Sequence, residues 1–182
     1  MPAEIYSGEN GVSLNPRQAG LAIFCYWDKF TRKRKLYHFQ QVSDTNSCRD
    51  GECAASVTTE HSFGIEASAG LGADLGGLAK GVSASIGVAV SESWTNGKTN
   101  ECNAKENESV CVWVKVPYYE VELRHNWSGT GRFATPCTNP NGVIARFPET
   151  RDANANYQCE RHTCEAAGAN NWRDEANNPV NV

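Results

Sequence analysis

Residues 56–95 run SVTTEHSFGIEASAGLGADLGGLAKGVSASIGVAVSESWT, and the period assigned to this stretch decides the fold. At a period of two, Val57, Phe63, Ile65, Ala67, Ala69, Leu71, Ala73 and Leu75 share one face. The other face carries Ser56, Thr58, Glu60, Ser62, Gly64, Glu66, Ser68, Gly70, Gly72 and Asp74. After Gly76-Gly77 the pattern resumes, with Leu78, Val82, Ala84, Ile86, Val88 and Val90 set against glycine, serine and alanine. Gly-Gly suits a tight turn that requires positive φ. The expectation is a long amphipathic β-hairpin over 56–95 with a Leu-Gly-Gly-Leu tip.

Alternation on each arm outlasts an ordinary strand of about 5 to 6 residues and reaches the roughly 9 to 11 residues that cross a bilayer. The apolar face of such a ribbon is Phe63, Ile65, Leu71, Leu75, Leu78, Val82, Ile86, Val88 and Val90, and Glu60, Glu66 and Asp74 lie on the side that would meet water. A strand cannot satisfy its own backbone in hydrocarbon, so several copies must close into a barrel, with lipid outside and a wet lumen inside. Three other readings compete. An ordinary hairpin of a β-sandwich alternates for the same reason. A helix is compatible with Leu71, Leu75, Leu78, Val82 and Ile86, against a cost of about 0.8 to 1 kcal/mol for each of Gly72, Gly76, Gly77 and Gly81. A flexible glycine-rich loop fits the composition but not the regular aliphatic placement.

Outside this stretch, the clearest strand is 110–125, where Val112, Val114 and Val116 alternate with Trp113 and Lys115 and the alternation resumes after Pro117, expected to mark a bend or an edge. Two aromatic strands, 19–27 and 36–43, flank the basic run Arg32-Lys-Arg-Lys35, read as a solvated turn, with anionic lipid as its other use. From 137 onward asparagine, proline and glycine predict loops, with a short strand at 143–147. The fold class expected is mainly β: an elongated antiparallel sheet or sandwich with a long amphipathic hairpin, stabilised by disulfides, in a single domain over 1–182.

The eight cysteines, Cys25, Cys48, Cys53, Cys102, Cys111, Cys137, Cys159 and Cys164, form no C-x-x-C pair, which favours disulfides and an extracellular setting over zinc. Local closure of Cys48–Cys53, Cys102–Cys111 and Cys159–Cys164 would leave Cys25–Cys137 as the long-range bridge. The opening Met-Pro-Ala-Glu has no charged and then apolar leader, as expected of a mature secreted chain. A net charge of -4 and pI near 5.6 argue against nucleic acid as partner.

At this point 56–94, together with 91–97 and the strand 110–116, resembles the insertion segment of β-pore-forming proteins of the aerolysin and epsilon-toxin type. The Gly/Ala/Ser block is also similar to that of small secreted cysteine-rich fungal proteins. The first resemblance implies soluble protein, monomeric or dimeric, that oligomerises on a membrane through lipid or a cell-surface receptor and inserts one hairpin per subunit. The alternative is a secreted effector or glycan-binding β module without pore formation.

No covalent chemistry is expected. His38, His61, His125 and His162 stand in no metal-ligand spacing, and the nearest candidate is His162 with Glu160 or Glu165. No metal and no cofactor are expected. Glu120 and Glu122 fall on one side of a strand as an acid/base pair would, but surface carboxylates do so more often. Trp113, Tyr118, Tyr119 and Trp127 suit either a sugar platform or a core.

Overall fold

The computed structural model describes residues 24–58, 60–68, 70–71, 74–96, 99–128, 142–150 and 156–182. In chain order the elements are β1 (Phe24–Gln41), β2 (Asn46–Ser47), β3 (Cys53–Val57), β4 (His61–Gly64), β5 (Glu66–Ala67), α1 (Leu75–Ile86), β6 (Ser93–Asn96), β7 (Asn100–Ala104), β8 (Ser109–Ser128), β9 (Val143–Pro148), β10 (Asn156–Arg161) and β11 (Asn170–Asp174). The protein is mainly β, and every strand pairing is antiparallel.

The backbone of the fold is a ribbon of two very long strands, β1 against β8, paired from Phe24↔Ser128 to Gln41↔Trp113. The sheet order is β11-β1-β8-β9-β5, with β2 and β10 also on β8. β8 is therefore central, which is why both of its faces read apolar. Val110, Val112, Val114, Val116 and Tyr118 are buried on one face, and Trp113, Tyr119, Val121 and Leu123 on the other.

Pro117 is neither a bend nor an edge. It lies opposite Tyr37, where the second neighbour of β8 changes from β10, ending its pairing at Lys115, to β9, starting at Tyr118. A residue without an N–H is tolerated in a central strand at that gap.

The basic run is not a turn. Arg32 to Lys35 continue β1, with a register shift between Arg32 and Arg34 that sends the charges to both faces. Arg34 meets Glu120 at 2.9 Å, Lys33 pairs with Glu122, Lys35 meets Glu149 at 2.8 Å, and Arg32 lies 4.5 Å from the Tyr119 ring centroid. Cross-strand carboxylates far along the chain make a cationic strand affordable.

The disulfides differ from the local scheme in all but Cys48–Cys53. Cys102 joins Cys159 and Cys111 joins Cys164. Parity explains the exchange. Cys159 is opposite Val112 and Cys111 is opposite Glu160, and neighbouring rungs of a ladder face opposite sides. Cys102 packs with Val110 and Val112, so it lies under the face that Cys159 points to, while Cys111 points to the other. Each long bridge spans more than 50 residues and contributes about 4 kcal/mol in the chain-entropy account. The Cys25–Cys137 pairing, the side chain of Trp127 and the turn signal at 139–141 lie outside the described residues.

The ribbon is covered on both faces. On one, Leu36, Val114, Val116, Tyr118 and Trp172 pack with Phe63 of β4 and Trp94 of β6, and the β3/β7 pair continues this layer. On the other, α1 lies on Tyr119, Val121, Leu123, Ala145 and Phe147.

His38, 6 % exposed, stacks on Trp172 with centroids 4.5 Å apart and meets Phe63 and Tyr118 edge-on. Burial holds its imidazole below the ordinary value of 6.5, with a contact to Asn170 opposing the shift. The unfolded chain therefore takes up a proton that the folded one refuses, so this contribution is intact above the unfolded value and is lost as the pH falls below it. The urea midpoint is expected to drop between about pH 7.5 and 5, and His38→Phe should flatten that part of the profile. An unchanged profile in the variant would refute the assignment.

Candidate functional site

The stretch 56–95 does form a hairpin stem, but its second arm is not the strand that alternation predicts. β3 pairs with β7 from Cys53↔Ala104 to Val57↔Asn100, and β4 pairs with β6 from His61↔Asn96 to Gly64↔Ser93. Both pairings share one register: every step forward on the outgoing arm is one step back on the returning arm. One further rung follows, Ile65 N donating to Glu92 O at 3.1 Å.

Beyond that rung the hairpin forks. The outgoing arm becomes β5 and pairs with β9 as Glu66↔Arg146 and Ala67↔Ala145, and Ser68 N donates to Ile144 O at 2.9 Å. The returning arm sits farther along the same edge: Ser91 N donates to Pro148 O, Val90 bridges Glu149, and Thr150 N donates to Ala89 O. The two arms are thus splayed along residues 144–150, and α1 occupies the space between.

Leu75–Ile86 is helical because both its ends carry helix signals. Asp74 Oδ1 accepts from Gly77 N at 2.8 Å, and Gly87 closes the helix in the left-handed region at φ 72°. Gly76 and Gly77 belong to the first turn and neither has positive φ; they are not a hairpin tip. Glycine costs about 1 kcal/mol at each interior position, offset by the caps and by Leu78, Ala79 and Val82, which are buried against the ribbon. Asp74→Ala is expected to destabilise the helix by about 1 kcal/mol, read as faster amide exchange across 75–86. No change in exchange would show that the cap is dispensable.

The expected apolar face is divided. Phe63 joins the core under Trp94, while Ile65, Leu71, Leu78, Val82, Ile86, Val88 and Val90 gather in the core under α1, and Leu75 is half-buried at the helix start. Among the expected lumen residues, Glu60 is exposed and Asp74 caps α1. Glu66 is half-buried on β5, and burial raises its carboxyl above the ordinary value against the pull of Arg146. Next to it, the Tyr118 hydroxyl donates to Gly64 O at 3.0 Å, and burial followed by the Glu66 charge pushes the phenol up.

Glu120 and Glu122 do share a face, but each is already held by cations. Glu120 accepts from Arg34 and Arg146. Glu122 is bound by Lys33 and Arg124, which keep it below the usual carboxylate range. Both carboxylates are therefore committed to ion pairs with cations. Among the described residues no group of three or more His, Cys, Asp or Glu is placed to hold a metal. No described helix is long and apolar enough to cross a membrane.

No family model, no curated protein and no solved structure matches this chain. Its own geometry therefore carries the functional reading.

A second feature escaped sequence reasoning: an open cleft of about 590 Å³ on the helix-bearing face of the sheet, beyond the end that α1 covers, lined in part by Tyr37, Phe39, Trp113 and Lys115. Two period-two signals pointed to it, Tyr37/Phe39 and Trp113/Lys115. Its other walls come from β10, β11 and the loops around them, whose sequence is too weakly patterned to place.

Proposed function

We propose that this protein is a secreted membrane-damaging protein of the aerolysin and epsilon-toxin type, which gathers on a membrane and lengthens its forked hairpin into a transmembrane β-ribbon, one per subunit. The observation that carries the reading is the register of the stem. Continued past the fork without a shift, it sets Ala67 opposite Val90, Leu71 opposite Ile86 and Leu75 opposite Val82, apolar on apolar. The intervening rungs set Glu66 opposite Ser91, Ser68 opposite Ala89 and Asp74 opposite Ser83, giving the small and hydrophilic side. Glu66–Leu75 and Val82–Ser91 then supply arms of ten residues, within the roughly 9 to 11 that a bilayer needs. Residues 76–81, with three glycines, close the tip.

The resting state conceals that face. Core contacts under α1 cover Leu71, Val82, Ile86 and Val90, and the arms borrow hydrogen bonds from residues 144–150. Zipping exchanges β5·β9 and helix hydrogen bonds for hairpin and inter-subunit ones, so the change costs little backbone satisfaction once several copies close a barrel. The three disulfides among the described residues fit an oxidising compartment and fix the base of the stem at Cys53 and Cys102, leaving the part beyond Val57 free to move.

The test is dye release from liposomes of neutral, anionic and sterol-containing composition, at acidic and neutral pH. Concentration-dependent leakage with oligomers on the vesicles is expected. Vesicles that stay intact in every condition would overturn the proposal and favour a module that acts through its surface on a host receptor or glycan.

A further inference from the structure

We infer that the pore proposed above, on which reading this rests, selects small cations over anions, because the face of the ribbon that lines its lumen carries carboxylates and no cation.

The stem already displays that face. Ala55, Val57 and Phe63 of the outgoing arm and Trp94, Cys102 and Ala104 of the returning arm are buried, packed with residues of the long strands. The residues that alternate with them, Ser56, Thr58, Glu60, Ser62 and Gly64 on one arm and Ser93, Thr95, Glu101 and Asn103 on the other, are exposed. Glu101 stands opposite Ser56 and Thr95 opposite Ser62, so both arms present one common wet face. The period of two carries it past the fork, where it collects Glu66, Ser68, Gly70, Gly72 and Asp74 going out and Ser83, Ser85, Gly87, Ala89 and Ser91 coming back.

Over 56–74 and 83–103 that face holds Glu60, Glu66, Asp74 and Glu101, and no lysine, arginine or histidine. His61, Glu92 and Lys98 have the other parity, and Lys80 belongs to the closing turn 76–81. Glu66 opens the ten-residue outgoing arm and Asp74 stands next to its end, so each subunit brings a carboxylate to both mouths of the channel. Closing a barrel from several copies repeats these positions as two rings, and carboxylate rings admit cations. Serine, glycine and alanine between the rings keep the lumen open and add no charge. Glu60 and Glu101 lie on the same face of the stem and extend the negative potential to the entrance.

The resting fold employs these charges elsewhere. Glu66 is half-buried on the rung it shares with Arg146, and Asp74 Oδ1 accepts from Gly77 N at 2.8 Å. Lengthening the hairpin leaves Arg146 behind on β9 and dissolves the helix cap. Both carboxylates then reach the lumen without the groups that offset them.

The experiment is a reversal-potential measurement across planar bilayers of the lipid composition that leaks most in the dye assay. The gradient is KCl at about 0.1 M against about 0.01 M, where the screening length is about 10 Å or more. Native channels are expected to prefer K⁺ over Cl⁻ by about tenfold, the low end of the counter-ion enrichment in a cleft of one sign. Glu66→Gln and Asp74→Asn, the second of which keeps a cap-forming side chain, should each lower the ratio, and the double variant should bring it close to parity. Glu92→Gln, on the other face, should keep the native ratio. A native ratio at or below parity, a double variant as selective as the native protein, or selectivity lost in Glu92→Gln would each overturn the inference while leaving the pore in place. Should the double variant form no channels, the native ratio still decides the sign of the preference and the single variants assign it. Bilayers that stay silent with native protein would overturn the lytic reading itself, and the selectivity with it, so the two failures are told apart.

Discussion

The oxidised Ala67→Cys/Ala145→Cys double variant is expected to reach vesicles as the native protein does and to release essentially no dye, a loss of at least about tenfold. Ala67 and Ala145 are direct antiparallel partners across β5 and β9, and such partners stand about 4.5 to 5.5 Å apart at Cα, inside the range a disulfide spans. The new bond would tether the outgoing arm to the edge it must leave, two residues past the last rung of the stem. Zipping would stop at Ile65, and none of the ten bilayer-length residues could pair. Ala145 is fully buried, so an added sulfur costs about 1 to 3 kcal/mol of crowding, and thermal unfolding and retained helical exchange protection must show that the fold survives. The alkylated Ala67→Cys single variant serves as the lytic control, which avoids reducing the native bridges. A second lock on the returning arm, Val90→Cys/Glu149→Cys, uses the other bridge and should act independently. Oxidised double variants as lytic as the single one would end the zipping mechanism.

Residues 71–86 show why the fold was only partly legible. Leucine, valine and isoleucine are spaced there so that periods of two and of 3.6 both collect them, and alanine, glycine and serine between them are indifferent to the choice. What settles the helix is local: the Asp74 cap and the left-handed Gly87, together with the apolar surface of Tyr119, Val121, Leu123 and Phe147 that happens to be available. That surface is assembled by β8 and β9, and no window on 71–86 contains it. The strand expected at 110–125 was legible because it is central and apolar on both faces, and it extends to Ser109–Ser128.

Misreadings elsewhere share a cause. Four successive cations suggest a turn until Glu120, Glu122 and Glu149, more than eighty residues away, are brought across the ladder. Cys159 and Cys164 look like neighbours, yet the alternation of β10 and β8 sends Cys159 and Cys111 to opposite faces. The cleft is the extreme case: Tyr37 and Phe39 are visible as alternating aromatics, whereas the cleft they line exists only after four strands are assembled.

Those tertiary constraints give the second large effect. In Ser68→Cys/Ala89→Cys the thiols should not cross-link in solution and should cross-link on lytic vesicles. In the resting fold Ser68 is bonded to Ile144 within β9 and Ala89 to Thr150, two residues past its end, and the four strand steps from Ile144 to Pro148 alone span roughly 13 Å at about 3.3 Å per residue. A disulfide tolerates a Cα separation of about 7 Å at most. In the lengthened hairpin, the stem register places these two residues directly opposite each other, on the side that faces water, where an oxidant can reach them. Ser68→Cys/Val88→Cys, displaced by one residue, points its thiols to opposite faces and should cross-link far less. Intact-mass measurement before and after exposure to vesicles reads the outcome without reduction of the native bridges. Cross-linking already complete in solution would mean that the fork is not the resting state, and leakage without any cross-link would mean that the membrane form uses another pairing. Either result would separate the pore from the register that the stem displays, whereas the expected one would show that α1 is a stored length of the same ribbon.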